Sequence, residues 1–212
     1  MSNDDIHAAF ATPLVVRRFP GKQEFNRRLA EHILEWEKSA GGSIGRSNFR
    51  GWHSPDTLLQ RDTPELVELR QMIAGAIRDA TLRFATEEPR TSGIWMSGWA
   101  NVLRENSYNR LHDHHPAGWS CVYYVQVGES SLDESLSGVI EFVDPRSGIA
   151  AAKLPGAPFE QQIRVVPEDG MLVLFPAWLK HIVYPYRGKT TRIAIAVNIN
   201  FEDRPLSKAE KS

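Results

Sequence analysis

Thr191–Phe201 reads TRIAIAVNINF, and its alternation decides the fold class. Ile193, Ile195, Val197 and Ile199 fall on one side of an extended chain, and Arg192, Ala194, Ala196, Asn198 and Asn200 on the other, because successive side chains of a strand point to opposite faces. The first face suits packing against helices. The second is small and polar with an arginine at its head, and suits either the wall of a polar cavity or a wet sheet face. Similar short runs precede it: Ile94–Leu103, Trp119–Val127, Val139–Val143, Ile163–Val166, Met171–Phe175 and His181–Tyr184. They are rich in β-branched and aromatic residues and are separated by turn residues. Glu168-Asp169-Gly170, between two apolar runs, predicts a hairpin. Two longer loops, 128–137 and 144–162, interrupt the series. The prediction is a mainly β domain with N-terminal helices, a jelly roll enclosing a small pocket.

Before residue 90 the texture differs. Phe25, Leu29, Ile33 and Trp36 carry helical spacing after Pro20-Gly21. So do Leu66, Leu69, Ile73, Ile77, Ala80 and Phe84, opened by Asp62, Thr63 and Pro64, which suit a helix start. Residues 1–90 are therefore expected to supply an N-terminal strand and packing helices, and residues 91–203 the β core of a single domain over 1–212. Ser47–Leu59 (SNFRGWHSPDTLL) reads as a polar loop.

The chain has 212 residues, 42% hydrophobic and 24% charged, with a net charge of −1. That composition fits an ordered globular protein and argues against broad electrostatic binding to nucleic acid or anionic membranes. One cysteine excludes a disulfide framework and CxxC zinc sites. No membrane span or signal peptide is visible. The expected location is the cytoplasm, and the expected partner is a small-molecule or peptide substrate, with a homodimer the assembly considered.

The histidines carry the chemical signal. Three of the seven lie in Leu111-His112-Asp113-His114-His115-Pro116. In an extended segment His112 and His114 point the same way and Asp113 the other, so the pair is half of a transition-metal site. Asp113 is the competing ligand, and would need a bulge to turn inward. His181 follows an apolar strand, from where it can enter the barrel mouth opposite the pair. Arg192 opens the next strand, with a planar fork suited to the far carboxylate of a dicarboxylate. His115 reads as a supporting or surface residue, and His53 as a surface residue of its loop, with reach to the substrate as the alternative. Tyr184 and Tyr186, around Pro185, read as rim residues, and Cys121 as a small packing residue.

Several stretches together resemble the 2-oxoglutarate/Fe(II)-dependent dioxygenases, in particular a bacterial and phage group related to prolyl hydroxylases. They are His112-Asp113-His114, Ser120–Val125 (SCVYYV), Gly138–Pro145 (GVIEFVDP), Pro167–His181 (PEDGMLVLFPAWLKH) and Thr191–Asn198 (TRIAIAVN), with Trp99-Ala100-Asn101 and Gly51–Ser54 alongside. The resemblance implies a double-stranded β-helix of cupin-like kind. It implies that His112, His114 and His181 bind Fe(II), and that Arg192 and Tyr124 hold the C5 carboxylate of 2-oxoglutarate, with Asn101 also at the co-substrate. The implied activity is hydroxylation with release of succinate and CO2. The usual second ligand is a carboxylate, and here His114 stands in its place. The alternatives carried forward are a three-histidine cupin-type dioxygenase without 2-oxoglutarate and a non-catalytic metal-binding jelly roll.

Overall fold

The computed structural model describes residues 10–85, 91–129, 136–146, 148 and 162–203. Most of the two long loops expected at 128–137 and 144–162 lies outside them.

Eleven strands and two helices occur among the described residues: β1 (Val15–Arg18), α1 (Gln23–Ser39), β2 (Asn48–Phe49), β3 (Trp52–His53), α2 (Pro64–Phe84), β4 (Thr91–Leu103), β5 (Tyr108–His112), β6 (Trp119–Gln126), β7 (Ile140–Val143), β8 (Gln162–Val165), β9 (Met171–Pro176), β10 (His181–Val183) and β11 (Arg192–Asp203). They form two sheets. The larger has the order β1-β9-β6-β11-β4-β3 and the smaller β2-β5-β10-β7-β8. All pairings between these strands are antiparallel.

Alternation along the central strands of the larger sheet builds two cores. Cys121, Tyr123 and Val125 of β6, Leu172 and Leu174 of β9, and Ile193, Ile195, Val197 and Ile199 of β11 face outward onto Leu29 and Ile33 of α1 and Leu66, Leu69, Ile73 and Ile77 of α2. Tyr124, Met171, Val173, Phe175 and Ala194 face the other way and pack with Ile140, Phe142 and Val183 of the smaller sheet. A strand buried on both faces needs an unbroken apolar run, and Met171–Pro176 is buried at every position. The helices lie against one face of one sheet, as the β11 pattern predicts. Helix α2 starts where the sequence places it: Thr63 accepts the Leu66 N–H at 3.4 Å, with Pro64 in the first turn.

Three local expectations are corrected. The Glu168–Gly170 turn exists, with the Met171 N–H on the Glu168 carbonyl at 3.1 Å and Gly170 at φ +79°. It is not a hairpin: β8 pairs with β7, β9 with β1 and β6, so the turn carries the chain from one sheet to the other. Turn chemistry sets a local reversal, whereas pairing is decided by which sheet buries the apolar face. The stretch 47–59 contains two short edge strands: β2 pairs with β5 and β3 with β4. Tyr186 is a core residue, 1% exposed, with its hydroxyl on the Glu129 carbonyl at 3.1 Å.

No helix among the described residues is long and apolar enough to cross a membrane.

Candidate metal and co-substrate site

The end of β5 and the start of β10 place two histidines side by side. His112 and His181 are directly paired across the strands, so their side chains share the inner face. His114 lies two residues beyond β5, and its backbone N–H donates to the Ala177 carbonyl at 2.7 Å, which ties it to the connection before His181. The ring centroids of His112, His114 and His181 are 4.3 to 5.1 Å apart, and one ligand atom from each falls within 4.8 Å of the others. Asp113 is not in this cluster. Its carboxylate accepts the His115 N–H at 3.3 Å, the outward position that strand alternation predicts.

Two of the rings have fixed tautomers. His112 Nδ1 is 2.6 Å from the Arg110 carbonyl and His181 Nδ1 is 3.0 Å from the Leu179 carbonyl. A carbonyl only accepts, so each Nδ1 carries the proton and each Nε2 keeps its lone pair for a metal. Burial, followed by the charge of His112, pushes His114 and His181 down to about 3. Burial lowers His112 too. All three are thus neutral imidazoles near pH 7, the form that ligates. Phe175 and Phe142 pack on His181 at 4.8 and 5.6 Å.

A narrow cavity between the sheets joins this cluster to Arg192, lined also by Tyr124, Asn101, Ala194 and Ala196. Arg192 is 2% exposed. Its Nη2 donates to the Gly138 carbonyl at 3.2 Å, while its Nε has no partner. The guanidinium lies 5.2 Å from the Tyr124 ring. Among the described residues no carboxylate pairs with Arg192. The Tyr124 hydroxyl and Asn101 Oδ1 are buried without partners as well. Burial pushes the Tyr124 phenol up to about 12, so it remains a donor. Orphaned buried polar groups are costly. Three of them converging on one cavity mark a place shaped for a polar ligand. Gly138 shapes it too: at φ +66° it presents its carbonyl to Arg192, and a Cβ there would lie 3.1 Å from Nε.

An open cleft of about 480 Å³ lies on the other side of the histidines. Ser47, Trp99, His112 and His114 line both spaces and form the neck between them. Ser47 Oγ is 3.3 Å from His112 Nε2 and accepts from Asn109 Nδ2 at 3.2 Å. His53, expected at the surface, is 5% exposed and stacks on Trp99 with centroids 5.3 Å apart. Sequence reading missed Ser47 and the burial of His53 because their placement depends on the two short edge strands, which have too few residues to show a period; Asn109 lies on β5, and its part shows only through its bond to Ser47.

Residues 97–198 match a family described as "Putative 2OG-Fe(II) oxygenase". This segment belongs to the 2OG-Fe(II) oxygenase family. Solved structures of the same fold include a Pseudomonas putida prolyl-4-hydroxylase, at 15% identity and TM-score 0.60, covering 91% of this chain and 94% of that one. A Trichoplax adhaerens prolyl hydroxylase, in complex with a hypoxia inducible factor peptide fragment, aligns at 13% identity and TM-score 0.61, covering 90% and 83%. HygX from Streptomyces hygroscopicus, with nickel and 2-oxoglutarate bound, aligns at 13% and 0.59, covering 89% and 83%. No curated protein matches by sequence. The two antiparallel sheets, of which β1, β2 and β3 lie outside the matched segment, are those of a double-stranded β-helix.

Proposed function

We propose that the chain is an Fe(II)- and 2-oxoglutarate-dependent oxygenase that hydroxylates a small-molecule or peptide substrate, releasing succinate and CO2. The observation that carries this reading is one cavity with three neutral histidines at one end and a buried, carboxylate-free guanidinium at the other. His112, His114 and His181 fit a borderline divalent metal such as Fe(II) by donor type, tautomer and neutrality. The Arg192 fork fits the distal carboxylate of 2-oxoglutarate, with the Tyr124 hydroxyl as a further donor and the Asn101 carboxamide beside it. When bound, iron and 2-oxoglutarate supply the oxidising chemistry, which no side chain here provides.

The chain's own residues bind, orient and exclude water. Arg110 and Leu179 carbonyls hold two imidazoles with Nε2 toward the cluster. Phe142 and Phe175 keep that end apolar. Ala194 and Ala196, the small residues on the Arg192 face of β11, leave room between the metal end and the guanidinium. Arg192 also favours this reading over a three-histidine enzyme without 2-oxoglutarate, since a buried arginine lacking an acid would be a cost with no return in such an enzyme. The test is metal analysis of the purified protein with succinate measured after addition of Fe(II), 2-oxoglutarate and oxygen. Metal bound at one per chain and succinate above a metal-free control are expected. Metal-loaded protein that neither binds 2-oxoglutarate nor forms succinate would overturn the reading.

A further inference from the structure

The outer cleft carries charges of both signs that do not neutralise each other. Arg46 and Arg110 line it from one side, on segments joined by the Arg110 N–H to the Ser47 carbonyl at 2.9 Å. The Arg110 guanidinium lies 5.9 Å from the Phe49 ring. Among the described residues neither arginine has a carboxylate within ion-pair distance. From β3 and the residues after it come His53 and Asp56. The Asp56 carbonyl accepts the Gly98 N–H at 3.2 Å, which fixes that segment to β4, while its exposed carboxylate has no cationic partner among the described residues. His53 Nδ1 is 2.6 Å from the Ser54 carbonyl, so it must donate, and Nε2 is left as an acceptor on the cleft. Asp113 and His115 are the other titratable groups at the rim, and the Asp113 carboxylate is engaged by the His115 N–H.

Scattered surface charges are ordinarily just solvated. These differ in position: the cleft has His112, His114 and Trp99 in its wall and the volume of a small-molecule site. A purely anionic ligand would meet Asp56 and Asp113, and a purely cationic one Arg46 and Arg110. An internal stretch of a protein chain offers neither terminal charge. We propose that the prime substrate is a small zwitterion, a free amino acid or a dipeptide, with its carboxylate on Arg46 and Arg110 and its ammonium on Asp56 and His53 Nε2. This rests on the oxygenase reading of the adjacent site.

The experiment uses the full chain loaded with Ni(II) and 2-oxoglutarate, which holds the site without turnover. The twenty common L-amino acids and the corresponding glycyl dipeptides are titrated singly by calorimetry, and the binders are then tested for faster succinate release with Fe(II). At least one zwitterion should bind saturably and accelerate succinate formation. Its N-acetyl and C-terminal amide forms should each bind about tenfold or more weakly, the loss expected of a hydrogen bond to a charged group. Arg46→Ala with Arg110→Ala should erase the preference for the free carboxylate, and Asp56→Asn the preference for the free ammonium. Binding of 2-oxoglutarate without any zwitterion binding, or blocked forms binding as well as free ones, would overturn the inference alone. Failure of 2-oxoglutarate itself to bind would overturn the oxygenase reading and this inference with it.

Discussion

Arg192 concentrates the energetics of the site in one side chain: it is buried, it donates one hydrogen bond to the Gly138 carbonyl, and Nε is left over. Arg192→Ala should raise the apparent KM for 2-oxoglutarate by the equivalent of roughly 2–5 kcal/mol, the range for breaking a buried charge pair, while metal binding survives. Lysine should restore only part, because it lacks the planar fork. Steady-state kinetics with metal titration checks both. The histidines make a different prediction, about acid. Burial holds His114 and His181 near 3, well below the ordinary imidazole range around 6.5. Their contribution is complete above about 6.5. It is lost as pH falls toward 3, because the unfolded chain then binds protons that the folded chain refuses. Urea unfolding of metal-free protein should lose up to about 1.4 kcal/mol per pH unit per ring below 6.5. His114→Gln and His181→Gln should flatten that slope.

At the scale of the element, β11 separates stability from function by face. Ile195 is fully buried against the helices, and Ala196 next to it lines the cavity. Ile195→Ala should cost about 2–5 kcal/mol in denaturant unfolding, the usual cost of a large core truncation, with 2-oxoglutarate affinity of the folded protein kept. Ala196→Leu should do the reverse, leaving the outer core intact while filling the space between metal end and guanidinium. This division was legible in the sequence, because a strand long enough to alternate five times declares both its faces. His112, His114, His181 and Arg192 were legible for the same reason, lying on or beside strands whose direction alternation fixes. The two-residue strands β2 and β3 were not, and the positions of Ser47 and His53 depend on them. Nor was the sheet change at Gly170, since the Glu168–Gly170 turn is the same whether the next strand returns to its neighbour or crosses over. Tyr186 escaped for a reason of packing. A tyrosine after Pro185 suggests a rim, but Gly128 and Gly188 leave space around its hydroxyl, which a Cβ at either would approach within 2.1 Å.

Across the whole molecule, the candidate ligands divide between the sheets. His112 and His181 come from the smaller sheet, with His114 just beyond β5, whereas Tyr124, Asn101 and Arg192 come from the larger one. Metal alone would engage the histidine side, while 2-oxoglutarate bound to that metal would reach Arg192 and couple the two sheets across the inner core. Each binding step should therefore raise the unfolding temperature by mass action, with about 2.7 kcal/mol added when a ligand is present at a hundred times its Kd. The order of additions is diagnostic. Ni(II) should give a first increment, and 2-oxoglutarate a second that appears only when Ni(II) is present. His181→Ala should abolish both increments, and Arg192→Ala only the second, because its loss leaves the histidine cluster in place and removes the anchor on the opposite sheet. A second increment of unchanged size in Arg192→Ala would mean that the dicarboxylate does not span the sheets, and would remove the main argument for 2-oxoglutarate over a metal site that works without it.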